Sequence, residues 1–162
     1  MIVLGIDPGT ANVGVGVVEK NGKGYQLIHH TCITTEPSEA TADRLRFIYE
    51  SLTKIISQYQ PKMVILESLF FAINARSAMA VGKAMGAITL ASSNLDIPVV
   101  EYTPLQIKKY LCGYGRAKKP EIQKKVMELL KLPKIPRPQH AADALAVALT
   151  FFENKSKNTA KT

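Results

Sequence analysis

The chain has 162 residues, 46% of them hydrophobic, which suits one domain built round one core. Its 21 Lys/Arg outnumber 13 Asp/Glu for a formal charge of +8, so nucleic acid leads the candidate partners. Cys32 and Cys112 lie far apart without metal-ligand spacing, Arg76 and Lys83 interrupt the most apolar stretch, and Met1-Ile2-Val3-Leu4-Gly5 lacks the basic region of a signal peptide. These features argue against a disulfide framework, a zinc site and a membrane span, and a reducing cytoplasm fits them.

Residues 2–6 are a short, β-branched apolar run stopped by Asp7-Pro8-Gly9-Thr10, which predicts a buried strand ending in a turn. Val13, Val15, Val17 and Val18, spaced by Gly14 and Gly16, predict a second strand returning antiparallel. Asn21-Gly22 supplies hairpin chemistry before a third strand over residues 25–33. Leu45, Ile48, Leu52, Ile55 or Ile56, and Tyr59 recur every three or four residues, the period of an amphipathic helix over 42–60 that Pro61 stops. Met63-Val64-Ile65-Leu66 then form a continuous apolar strand that breaks off at Glu67. Strand, helix and strand make a crossover unit, so this strand is expected to run parallel to the first, with a right-handed connection.

Asn74 can cap an alanine-rich helix reaching about Ser93, whose Gly82 and Gly86 suit close packing against a sheet somewhat better than a dimer contact. A fifth strand over 98–102 leads into Thr103-Pro104-Leu105-Gln106, a capping box with proline at the first helical position. Gly113-Tyr114-Gly115 breaks that helix, and Pro120 starts another through Leu130. Pro133 and Pro136 mark a connector, and Pro138 opens a last helix through Phe152. Residues 1–153 are expected to form the single domain, and 154–162 a polar, basic, disordered tail.

Charge is concentrated: residues 104–137 carry ten Lys/Arg against Glu121 and Glu128, a local net of +8 equal to that of the whole chain. Most charge runs are only solvated faces. Confinement to about a fifth of the chain favours a phosphate-facing surface.

The acids stand in unusual places. Asp7 and Glu67 each close an otherwise apolar strand, at the carboxyl edge where α/β sheets form ligand sites. His140 and Asp143, three residues apart, share one face in the first turn of a helix that is apolar nearly all round. Burying such a pair costs roughly several kcal/mol unless it is paired or bound to metal. Oxygen donors with one imidazole suit Mg²⁺ or Mn²⁺. Two such ions, about 3.5–4 Å apart, stabilise both the attacking water and the departing oxygen of an in-line displacement. Metal-dependent phosphodiester hydrolysis is the reaction these residue types best support.

Gly5-Ile6-Asp7-Pro8-Gly9-Thr10, Glu67 followed by Ser68-Leu69-Phe70, and Pro138-Gln139-His140-Ala141-Ala142-Asp143-Ala144-Leu145-Ala146 closely resemble the RuvC family of Holliday junction resolvases, in order, over residues 1 to about 152. The resemblance implies an α/β, ribonuclease H-like fold: a mixed sheet of about five strands flanked by helices. It implies a homodimer whose two sites nick a four-way junction in pairs during DNA recombination and repair, alongside a RuvA/RuvB branch-migration complex. By position, Asp7, Glu67 and Asp143 are the implied metal ligands for two Mg²⁺ ions, with Mn²⁺ as a substitute. His140 falls where many members carry a fourth acid and others a histidine, so it is expected to ligate an ion or to position or deprotonate water. Phe70 falls on an aromatic that stacks on an unpaired base, the alternative being core packing. Lys108 and Lys119 align with basic residues near the scissile phosphate, and Arg116 and Lys118 look like contacts to the DNA backbone.

Other readings stay open on the sequence alone. Asp7-Pro8-Gly9-Thr10 with Gly14 and Gly16 also resembles the phosphate loop of sugar kinases and actin-like ATPases, but the chain is short for two lobes and has no second Asp-x-Gly loop. A non-catalytic module for branched DNA would leave three acids repelling phosphate. Another nuclease of the same fold with a different nucleic-acid substrate is separated from a resolvase only by the resemblance.

Overall fold

The computed structural model describes residues 1–22, 24–68 and 75–159. The chain opens with an antiparallel meander of β1 (Ile2–Asp7), β2 (Asn12–Asn21) and β3 (Gly24–Thr34). Then come α1 (Thr41–Tyr59), β4 (Val64–Glu67), α2 (Ala75–Ser93) and β5 (Val99–Tyr102), followed by α3 (Pro104–Cys112), α4 (Lys119–Leu130) and α5 (Gln139–Thr159). One five-stranded sheet results, in the order β3-β2-β1-β4-β5, with β4 parallel to β1 and to β5. The expected mixed sheet and the parallel crossover are both present. Among the described residues no helix is long and apolar enough to cross a membrane.

Side chains alternate across a strand, and that alternation decides which layer each residue feeds. Leu4 and Ile6 of β1, Val13, Val15 and Val17 of β2, and Val64 and Leu66 of β4 pack with Ile48, Leu52 and Ile56 of α1 and Ala84 and Ile88 of α2. Val3 and Ile65 take the opposite face, with Leu145, Leu149 and Phe152 of α5 and with Ile107, Leu111, Val126 and Leu130 of α3 and α4. The same period of two puts Asp7 on the side of Val3 and Gly5, and Glu67 on the side of Ile65. Both acids therefore face the α5 layer.

That helix lies directly on the strands because glycines leave room for its backbone. A Cβ on Gly14 would fall on the carbonyl oxygen of His140, and one on Gly5 on that of Ala144. At the start of α3 the expected capping box is present: the Gln106 N–H donates to Thr103 Oγ1 at 3.2 Å, and the Thr103 N–H donates to Gln106 Oε1 at 2.8 Å.

One expectation is corrected. In α2, the contact with the sheet layer is made by Ala84, Ile88 and Ala91, at helical spacing, while Gly82 and Gly86 lie on the exposed opposite side. A Cβ on Gly86 would meet nothing within 4 Å, so close packing is not its purpose here. Asn74, the expected cap of this helix, lies outside the described residues. At the other end of the chain, α5 runs to Thr159, past the Phe152 expected as its last residue. Asn154 donates to the Tyr102 hydroxyl at 3.0 Å and Lys155 Nζ stands 4.6 Å from the Phe151 ring centroid. Extending a helix already nucleated is far easier than starting one, so a few contacts suffice for a polar stretch.

Candidate active site

The site forms where β1 and β4 end and α5 begins. Parallel pairing of Ile6 with Leu66 sets the next residues, Asp7 and Glu67, side by side at the carboxyl edge of the sheet. Opposite them, the Pro138 carbonyl accepts from the Ala141 and Ala142 N–H groups, closing the first turn of α5 around His140 and Asp143. His140 Nδ1 lies 2.8 Å from Asp7 Oδ2, joining residues 133 positions apart. Lys119, the first residue of α4, donates from Nζ to Asp143 Oδ2 at 2.7 Å. Asp7, His140 and Asp143 each bring one donor atom within 4.8 Å of the others.

Electrostatics show what the arrangement suits. Burial raises the proton affinity of Asp7 above the usual carboxylate range, an effect the hydrogen bond from His140 partly offsets. Glu67 stands outside the tight trio, yet its carboxyl is pushed up to about 7, chiefly by burial and then by the charges of Asp7 and Asp143, with Lys119 and Lys108 pulling the other way. Crowded, half-buried acids of this kind are relieved by a divalent cation. The donor set fits one: carboxylate oxygens with an imidazole and no thiolate suit a hard ion such as Mg²⁺ or Mn²⁺. With Nδ1–H of His140 donating to Asp7, Nε2 keeps its lone pair for an ion or a water.

A cleft of about 570 Å³ adjoins this cluster, lined by Glu67 and Asp143 together with Lys108, Arg116, Lys118 and Lys119. All four cations singled out in the sequence thus share one cavity with two of the acids. Phe70 lies outside the described residues.

Sequence reasoning missed the clamp on the turn after Asp7. Thr35 is 5% exposed, donates from Oγ1 to the Thr10 carbonyl at 2.5 Å and from its N–H to the Ala11 carbonyl at 3.0 Å. Arg44 in α1 donates from Nε to Thr35 Oγ1 at 2.9 Å. No local pattern marks either residue, because each acts on a turn more than twenty residues earlier.

A sequence model of the family described as crossover junction endodeoxyribonuclease RuvC matches residues 3–151. The crossover junction endodeoxyribonuclease RuvC of Desulforamulus reducens is 52% identical over 149 residues, 92% of this chain and 91% of that protein. The solved structure of Thermus thermophilus RuvC is 37% identical and superposes with a TM-score of 0.92 over 98% of both chains. The same protein in complex with a Holliday junction substrate gives 0.93 over 98% of this chain and 97% of that one, again at 37% identity.

Proposed function

This chain belongs to the RuvC family of crossover junction endodeoxyribonucleases, and from that membership we propose that it resolves four-way DNA junctions by paired, metal-dependent nicks during recombination and repair. One observation carries the reading: Asp7, His140 and Asp143 meet within 4.8 Å at the head of a cleft lined by four cations. Acids so placed repel phosphate unless a cation joins them, which disfavours a non-catalytic binding module.

Asp7, Glu67 and Asp143 would hold Mg²⁺, two ions per site in our reading, with His140 as a further ligand or as the base that takes a proton from water. Bound there, such ions supply charge stabilisation to the attacking and departing oxygens of a phosphodiester. Lys108 and Lys119 would hold the scissile phosphate, and Arg116 and Lys118 would grip the backbone without reading its sequence. A stacking role for Phe70 rests on the family alone. The same membership supports a homodimer, a cytoplasmic place of action and work beside a RuvA/RuvB branch-migration complex.

The test is cleavage in Mg²⁺ of a synthetic four-way junction, a linear duplex and an RNA–DNA hybrid by wild type and Asp7→Asn. Paired nicks in the junction alone are expected, with the variant binding but not cutting. Equal cutting of all three substrates removes the resolvase reading and leaves a nuclease of broader substrate range.

A further inference from the structure

We propose that Tyr114 is an aromatic platform at the rim of the active-site cleft, on which one unpaired base of the bound DNA stacks; this rests on the nucleic-acid reading above. Tyr114 occupies the break between α3 and α4. Gly113 ends α3 at a φ of 89°, a conformation that glycine adopts without strain, and the next residue leaves the helix 48% exposed.

The ring is exposed but held. Its hydroxyl donates to Glu121 Oε1, and Glu121 Oε2 accepts from the Lys118 N–H at 2.8 Å, at the start of α4. One carboxylate therefore fixes the ring to the helix start that carries Lys118 and Lys119 into the cleft with Glu67 and Asp143. Glu121 is the sole acid in residues 104–127, an odd presence on a surface meant for phosphate unless it has such a bracing task.

The surroundings say what the ring meets. Leu105, 62% exposed, lies against Gly115, where an added Cβ would come within 2.5 Å of its Cδ1. Leu105 and Tyr114, the neighbour of Gly115 in the chain, are both exposed among Lys108, Lys109, Arg116, Lys118 and Lys119. Those cations chiefly attract phosphate. An aromatic face suits a base, and one already held in place has little freedom left to lose on binding. In an intact duplex both faces of a base are covered by its neighbours. The platform therefore serves bases that have left the stack, as at a branch point or in a single strand.

The chain has no tryptophan, so Tyr114→Trp installs a single tryptophan whose emission can be followed selectively. With Ca²⁺ replacing Mg²⁺ to limit cutting, four-way junction and single-stranded DNA are expected to quench its emission, and linear duplex to leave it unchanged. Tyr114→Ala is expected to weaken junction binding about tenfold with duplex binding unaltered, while Tyr114→Phe, which keeps the ring, retains most of the affinity. Equal quenching by all three DNAs, or wild-type junction affinity in Tyr114→Ala, overturns the proposal. So does an equal loss of junction and duplex binding, which would mark a residue that merely braces α4. Quenching by single-stranded DNA reads the platform even if wild type shows no preference for junctions, so the two readings fail separately.

Discussion

Glu67 sits at the end of β4, where the sheet edge that positions it also shields it from water and sets Asp7 and Asp143 nearby. Its carboxyl holds a proton up to about pH 7, against 4.5 for the ordinary group. A folded-state value raised in this way contributes stability that is fully present below pH 4.5 and is lost as pH rises through 7, by on the order of 3 kcal/mol. Glu67→Gln, of nearly the same shape but without the charge, is expected to remove that slope. In chelator, the wild-type Tm should fall between pH 5 and pH 8 relative to the variant. Mn²⁺ should raise the wild-type Tm more at pH 8 than at pH 5 and do little for the variant. Parallel curves for the two proteins would contradict the assignment of a buried, metal-seeking acid. This residue was legible beforehand because a carboxylate closing an apolar strand is an anomaly that needs a cause. Thr35 and Arg44 carry no such mark, since hydroxyls and guanidiniums abound in any sequence and only the fold shows which ones hold a turn.

At the scale of elements, the site exists because α5 lies close enough to β1 and β2 for its first turn to reach Asp7. Gly14 is the closest point, opposite His140. Gly14→Ala is expected to lift the start of α5, lowering stability by about 1–3 kcal/mol as overpacking does and separating His140 from Asp7. Urea unfolding reads the first effect and Mn²⁺ titration the second; an unchanged midpoint with unchanged metal affinity would show that α5 yields without cost. Sequence periodicity located this helix and its polar face, yet it could not show that the glycines of β2 were spaces for a helix. The same glycines also resembled part of a phosphate loop, a reading already weakened by the short chain and the missing second Asp-x-Gly loop, and packing gives them another role.

For the whole molecule, the sheet divides two tasks. The active cleft opens in the layer of α3, α4 and α5, while α2 on the opposite layer turns outward Met79, 67% exposed, and Leu90, 54% exposed, with Gly82 and Gly86 between them. Residues 79, 82, 86 and 90 follow one helical face, and large exposed apolar side chains flanking small ones suit contact with a second copy. Light scattering after size exclusion is expected to give twice the chain mass for wild type and a monomer for Leu90→Glu, with paired nicking reduced to single nicks. A wild-type monomer, or an undisturbed dimer in the variant, would place the interface elsewhere or remove it.

Local sequence alone located the ten elements, all but the end of the last helix to within a few residues, and singled out the three acids with their histidine and the basic stretch beside them. Each of those is written in the spacing of a few neighbouring side chains, where helix and strand periods, turn residues and charge are readable directly. Tertiary structure decided the rest: that Lys119 meets Asp143, that Thr35 holds the turn after Asp7, that the glycines of α2 face outward, and that the Tyr114 hydroxyl is held by Glu121. These outcomes depend on how layers stack and on which face alternation assigns to each residue. No short window of the chain contains that information, because the partners are brought together by the packing of the entire sheet.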